Sequence, residues 1–394
     1  MSAPGRRGRS KREQPPGGLA TELTRLEILV CCGSGGVGKT TVSAAVAAAL
    51  ARDGKRVLVL TVDPARRLAT ALGMESIGAD PVQVSPARLR RAGLDLRGRL
   101  VAAMLDQKSA WDRMIEEHAP DRRTAQRILK NRFYQGISEG FAGSQEYMAM
   151  ETLYELHEAR EYDVIVVDTP PSRNALDFLE APERISDFVG AKLLSWLARP
   201  SRFGFRAMGL AVSPFLKLAD RLVGGEVLGE VSDFATDLQS LYGGVQQRAR
   251  AVSRLLRSPQ VGFIVVTTLE PSAFAEAEFF VAELRKRSMP LRALVVNRVL
   301  PDVLRDAHAA RAAEQLYDDP TAVGRLGKAI HVEIDAEDAA GIGRNFELLS
   351  DLAVRDARQL SRLAGIRNVT VVQVPLITGS VSDLDGLAQV AEAF

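Results

Sequence analysis

Ile28-Leu29-Val30-Cys31-Cys32-Gly33-Ser34-Gly35-Gly36-Val37-Gly38-Lys39-Thr40-Thr41 begins as a short apolar run, breaks into a loop with four glycines, and continues into the alanine-rich segment Val42–Ala51. An apolar run of this length bounded by glycine predicts a buried strand, and the segment after it predicts a helix over Thr40–Arg52 that stops at Gly54. Gly33 to Thr40 fits G-x-x-x-x-G-K-[ST] in the strand–loop–helix setting that the motif requires. Glycines let successive backbone N–H groups turn inward, and the helix N-terminus adds the positive end of its dipole, so such a loop is a nest for phosphate oxygens. Lys39 is placed to meet the β- and γ-phosphates and the Thr40 hydroxyl to ligate Mg²⁺, with Gly33, Ser34, Gly35, Gly36, Val37, Gly38 and Thr41 completing the cradle. A plain glycine turn has no use for that lysine and threonine.

The loop also contains G-x-G-x-x-G, and Asp63 lies 25 residues after Gly38 at the end of the next apolar run, as in a dinucleotide-binding crossover. Lys39-Thr40-Thr41 and a second acidic strand end favour a triphosphate instead. That second end is Asp168, which closes Val164–Val167 and precedes Thr169-Pro170-Pro171. Beside a phosphate loop, its carboxylate would hold Mg²⁺ through water; otherwise it is a helix cap after the strand. Asp63 closes Val57–Val62, where it could orient or deprotonate an attacking water, or cap a helix starting at Pro64. Asn297 follows Ala293–Val296; its amide offers a donor and an acceptor to a purine edge, and a simple turn would also use it.

Around these motifs the chain is ordinary: 394 residues, 46% apolar and 25% charged. That size predicts two or three domains, or one large domain with an insertion, and excludes collagen-like, mucin-like and membrane-spanning chains. Five basic residues against Glu13 put a surplus of +4 in the first 13 positions, which leaves −2 on the body from a total of +2. A nearly neutral body argues against a nucleic-acid partner. Residues 1–22 read as a disordered basic tail, without the apolar stretch of an export signal. Phe203–Val223 is interrupted by Arg206, Lys217, Asp220 and Arg221, so it does not read as a bilayer span. Cys31 and Cys32 are adjacent in an apolar run, too close in sequence for an ordinary disulfide or a metal clip, which predicts reduced thiols and a cytoplasmic location. The four histidines have no ligand spacing.

Further apolar runs at Phe263–Thr267 and Val369–Val374, alternating with helical segments such as Ala273–Lys286 and Asp383–Ala393, predict an α/β fold with a mostly parallel sheet flanked by helices. Two blocks, about 96–160 and 183–257, have helical spacing without convincing strands. The expected organisation is a core over 23–182, a helical subdomain inserted at 183–257, and the rest of the core over 258–394.

In order and spacing, the glycine loop, Thr61-Val62-Asp63-Pro64-Ala65, Asp168-Thr169-Pro170-Pro171-Ser172 and Val296-Asn297-Arg298-Val299 resemble the arsenical pump-driving and tail-anchored-protein-targeting ATPases, over about residues 25–394. Glu146–Glu151 and Asn174–Leu179 resemble an actinobacterial type of that family. The resemblance implies a P-loop NTPase fold and a Mg²⁺-dependent ATP hydrolase that works as a dimer with nucleotide at the interface. It further implies that Asp63 positions the hydrolytic water, Asp168 belongs to the magnesium switch, Asn297 contacts adenine, and the turn at Val374-Pro375-Leu376 lines the base. A hydrophobic protein client or membrane-associated partner would be handled by the helical subdomain, whose many large apolar residues suit a greasy groove or equally a core or dimer contact.

Three departures stand out. Members of the family carry a lysine after the first loop glycine that reaches the partner's phosphates; here Ser34 stands there. Either a lysine-bearing paralogue completes a heterodimer, or Arg66 or Arg67 replaces the cation, or the chain is a nucleotide-binding regulatory subunit with weak hydrolysis of its own. Cysteine clusters for arsenite and C-x-x-C for zinc are missing, so neither soft-metal role is expected, and Asn174 stands where the family's switch histidine would be. A membrane-patterning or DNA-partitioning role is disfavoured by the lack of a basic face on Asp383–Phe394.

Overall fold

The computed structural model describes residues 22–63, 67–131, 134–135, 144–170, 225–363, 369–377 and 383–394. Among them, eight strands form one sheet: β1 Ile28–Cys32, β2 Arg56–Thr61, β3 Val82–Gln83, β4 Arg99–Met104, β5 Val164–Asp168, β6 Val261–Thr267, β7 Leu291–Val299 and β8 Thr370–Pro375. Their order is β3-β4-β2-β5-β1-β6-β7-β8, parallel throughout except for the β3–β4 pair at one edge. β1 sits between β5 and β6, and its register places Cys31 beside Asp168, while Thr61 of β2 lies on the other side of Asp168. The loop after β1 and both acidic strand ends therefore emerge at one carboxyl edge, where open α/β sheets bind ligands.

Alternate residues of the central strands feed two cores. Leu29 and Cys31 face one side with Val57, Val59, Val164 and Val166; Ile28 and Val30 face the other with Leu58, Leu60, Ile165 and Val167. On the first side lie α1, Lys39–Arg52, and the C-terminal helix Leu384–Ala391. Every residue of α1 from Val42 to Ala51 is buried, and its six alanines leave only short side chains between helix and sheet. Gly54, at φ +97°, then turns the chain into β2. In chain order the next helices are α2 Arg67–Ala71, α3 Pro86–Arg91, α4 Gln107–His118, α5 Arg122–Lys130, α6 Ser144–Ala159, α7 Gly225–Leu256 and α8 Pro271–Lys286. The apolar faces of α4 to α8 fill the second core.

Among its described residues the block 96–160 holds α4, α5 and α6, but it begins with β4, which pairs with β2 along its whole length and corrects the expectation of a block without strands. Arg99-Leu100-Val101-Ala102-Ala103-Met104 is buried on both faces, so it shows no alternation, and its alanines read as helical. Of the block 183–257, residues 183–224 lie outside the described residues; Leu241, Val245, Val252 and Leu256 of α7 pack in the core beneath the sheet. Between β7 and β8 the chain makes a helical excursion, α9 Ala307–Asp318, α10 Pro320–Ile330 and α11 Ala336–Leu363, gathered around Leu316, Ala322 and Ala339. Asp306 and Asp319 cap the first two of these through their side chains. No helix among the described residues is long and apolar enough to cross a membrane.

One charge is fully buried in the helical layer. Glu151 of α6 meets Arg248 Nε of α7 at 2.9 Å; Arg248 also pairs with Glu117 of α4 and lies 4.8 Å over the Tyr154 ring. Burial pushes the Glu151 carboxyl up to about 7 in spite of Arg248. Because this folded value lies above the ordinary 4.5, the unfolded chain ionises first as pH rises, and the group subtracts stability progressively from 4.5 to about 7. Denaturant melts are expected to show that slope flattened in Glu151→Gln. Arg248→Met is expected to cost about 3–5 kcal/mol at pH 8, where Glu151 must either stay charged without its partner or take up a proton against the pH, and clearly less at pH 5.

Candidate active site

The loop after β1 is shaped by three glycines with positive φ: Gly33 at +155°, Gly36 at +79° and Gly38 at +91°. A Cβ on Gly33 would stand 2.2 Å from the Val266 carbonyl oxygen of β6, and one on Gly38 would stand 2.3 Å from Asn297 Nδ2 of β7. Gly38 caps α1 without a side-chain hydrogen bond, so no cap covers the backbone donors at that helix start. Lys39 is buried and folds back over the loop, Nζ donating to the carbonyls of Gly33 at 2.9 Å and Ser34 at 2.8 Å. Burial lowers its pKa, while Asp168 and Asp63 pull the other way. From the far side Asn297 Nδ2 donates to the Val37 carbonyl at 2.8 Å, and Asn297 Oδ1 accepts from Arg298 N.

Asp168 lies completely buried below the loop. Ser43 Oγ of α1 donates to its Oδ1 at 3.3 Å, Thr61 Oγ1 of β2 to its Oδ2 at 3.2 Å, and the Thr40 hydroxyl also bonds to it. Burial nevertheless outweighs these bonds and Lys39, and raises the carboxyl to about 6. The Thr61 hydroxyl in turn accepts the Asp63 backbone N–H at 3.3 Å, so one side chain joins the two acidic strand ends. Asp63 sits at the mouth, its Oδ2 3.3 Å from Arg67 Nη1, and Gln145 Nε2 of α6 donates to the neighbouring Val62 carbonyl at 2.7 Å. Thr169 Oγ1 fastens the end of β5 to the Cys31 carbonyl at 2.8 Å.

These groups surround a cavity of about 520 Å³ whose walls include Gly36, Lys39, Thr40, Asp63, Arg67 and Thr169. Inward-curled backbone, a buried lysine and a helix start suit a polyphosphate, and the Thr40 hydroxyl with the Asp168 carboxylate is the hard-oxygen set that Mg²⁺ takes.

Residues 26–319 match the family model described as anion-transporting ATPase. The chain belongs to that family. It is similar to ATPase GET3 of Malassezia globosa, 27% identical over 275 residues that make up 70% of this chain and 73% of that one. ATPase GET3 of Mycosarcoma maydis is 27% identical over 295 residues, 74% of this chain and 79% of that one. ATPase ARSA1 of Chlamydomonas reinhardtii is 27% identical over 344 residues, 81% of this chain and 42% of that one. The chain is thus a P-loop ATP hydrolase of the kind that its sequence resembles.

Within this ATPase the predicted loop, Asp63, Asp168 and Asn297 come together at one sheet edge, whereas Pro375 stands exposed at the end of β8, paired in register with Val299. Pro64, Arg66 and Asn174 lie outside the described residues. Ser43 and Thr61 are polar partners that the sequence reading missed. Thr61 had a signal in Thr-x-Asp at a strand end, and Ser43 in its place one helical turn after Lys39. Both cysteines are buried thiols, with Cys31 pushed up to about 12 by burial. Among the described residues one group has metal-ligand spacing, Glu117, His118 and Glu151, and Arg248 pairs with both of its carboxylates.

The glycine contacts separate strain from collision. Gly36→Ala and Gly38→Ala should each cost about 1–2 kcal/mol for a left-handed alanine, but only the second drives a methyl into Asn297. Thermal melts are expected to place Gly38→Ala below Gly36→Ala, and Asn297→Ala to recover part of the difference in the Gly38→Ala background alone.

Proposed function

We propose that the ATPase binds MgATP in the β1–α1 loop and hydrolyses it with Asp63 directing the water. The observation that carries this reading is the Thr61 hydroxyl bonded to both acidic strand ends, which sets a deep carboxylate under the loop and a second one at its mouth. Lys39 leaves the carbonyls of Gly33 and Ser34 for the β- and γ-phosphates, and the backbone of Gly33–Thr41 holds the remaining oxygens. Thr40 and, through water, Asp168 would hold Mg²⁺, which would neutralise phosphate charge when bound. Asp63 accepts a hydrogen bond from the water and fixes its approach to the γ-phosphorus. Asn297, whose amide already braces the loop, turns its second N–H to adenine, and Pro375 stands on the base side.

In this reading the protein is cytoplasmic and works as a dimer that cycles with nucleotide. A helical subdomain over about 183–257 responds to that cycle and handles a hydrophobic protein client or membrane-associated partner, as the resemblance to tail-anchored-protein-targeting ATPases suggests. No arsenite site belongs to this reading, since the chain has two cysteines, adjacent and buried, and no cysteine cluster. A second reading is favoured by Ser34: a regulatory subunit that binds ATP and hydrolyses it quickly only beside a lysine-bearing partner.

Single-turnover hydrolysis with direct binding tests the site. Asp63→Asn is expected to slow hydrolysis by about 10²–10⁴-fold with ATP affinity kept within a few-fold, whereas Lys39→Ala loses both. Hydrolysis by Asp63→Asn at the wild-type rate would remove Asp63 from the reaction. Brisk turnover by the purified chain alone would rule out the regulatory reading.

A further inference from the structure

We infer that Arg67 is a cis-acting phosphate sensor: it holds Asp63 while the site lacks a terminal phosphate, and transfers to the γ-phosphate when ATP binds. The inference rests on the reading of the loop and of Asp63 given above. Among the described residues, the cations lining the cavity are Lys39 and Arg67. Lys39 is anchored in the floor by two loop carbonyls. Ser34 adds no charge, and its hydroxyl oxygen is buried without a hydrogen-bond partner. Arg67 stands at the mouth, its side chain 64% exposed and bonded to Asp63 Oδ2 through Nη1 at 3.3 Å. A long, exposed side chain held by an ion pair at the surface is weakly fixed, so little opposes its departure.

A triphosphate offers Arg67 a better partner. Its terminal group carries more charge than one carboxylate, and its oxygens match the two-pronged guanidinium, which strengthens and orients the contact. Transfer of the guanidinium takes one partner from the Asp63 carboxylate, so arrival of the γ-phosphate itself shifts that carboxylate toward the water. In the step that follows, the water oxygen bonds to the γ-phosphorus as the bond to the bridging oxygen breaks. ADP leaves with that electron pair, and the water's proton passes by way of Asp63 to solvent. Arg67 meets the charge on the transferring oxygens, the task of an arginine finger. ADP, without the γ-phosphate, leaves Arg67 on Asp63.

The experiment measures ATP and ADP affinity and steady-state hydrolysis for the full chain and for Arg67→Ala, Arg67→Lys, Asp63→Asn and the double variant Arg67→Ala/Asp63→Asn. Thermal melts check that each is folded. Arg67→Ala is expected to reduce the preference for ATP over ADP by about 10–100-fold and kcat by about 10²-fold or more, with Arg67→Lys between it and wild type. The lost preference should persist in the double variant, because it comes from contact with the γ-phosphate. If removing Asp63 restores the preference, Arg67 only neutralises that carboxylate and the proposal falls. An unchanged ATP-to-ADP ratio in Arg67→Ala also overturns it, and this arm needs no turnover. Failure of the Asp63 reading shows separately, as undiminished hydrolysis in Asp63→Asn.

Discussion

Asp168 is buried at the end of β5, where the parallel register sets it between Cys31 of β1 and Thr61 of β2, and a carboxylate withdrawn from water in this way needs partners. Three hydroxyls supply them, from Thr40 and Ser43 on α1 and from Thr61 on the neighbouring strand, with Lys39 close enough to be felt. They do not fully offset the burial, because the carboxyl still sits well above its ordinary value. In the proposed reading a bound Mg²⁺ would offset that residual cost. The same hydroxyls fix the relation between α1, β2 and β5, so the geometry of the phosphate loop and that of the acidic strand ends are set by one cluster.

The two faces of the sheet solve their packing differently. α1 is buried almost all round, and its six alanines, beside Val42, Val46 and Leu50, keep the side-chain volume between its backbone and the central strands small. The opposite face carries bulkier groups, such as Trp111, Tyr147 and Phe263, together with the Glu151–Arg248 pair. A hydrophobic pair of the same shape could replace those charges at no loss, so their presence does not explain stability. Their placement is more suggestive. α6 touches the Val62 carbonyl through Gln145 at its start and meets α7 through Glu151 farther along, so one helix connects the strand end that carries Asp63 with α7.

Much of this was legible in the chain. The central strands are short apolar runs ended by glycine or aspartate, and the loop, Asp63, Asp168 and Asn297 sit at their carboxyl ends because a parallel sheet collects those ends on one edge. β4 escaped because alanine in a doubly buried strand is indistinguishable from alanine in a helix until its partner is known. The excursion α9–α11, gathered around Leu316, Ala322 and Ala339, escaped although its helices are amphipathic, because the apolar strand runs on either side draw attention away and leave it inside the core. Thr61 and Ser43 are common residue types in common places. Only the register of β2 against β5, and the turn of α1, bring their hydroxyls to one carboxylate.

The position of Ser34 is instructive in the same terms. The loop is held by backbone carbonyls on Lys39, by the Val37 carbonyl on Asn297, and by glycine conformations that leave no room for a Cβ at Gly33 and Gly38. At residue 34 it is the carbonyl, not the side chain, that takes part in this bracing. The bracing at residue 34 thus runs through its main chain, and a hydroxyl there in place of a cation changes the charge available to a phosphate. A fold that fixes its ligand site through main-chain contacts can move a catalytic charge from one chain segment to another, and the pairing of Arg67 with Asp63 at the cavity mouth is where such a relocated charge would be kept.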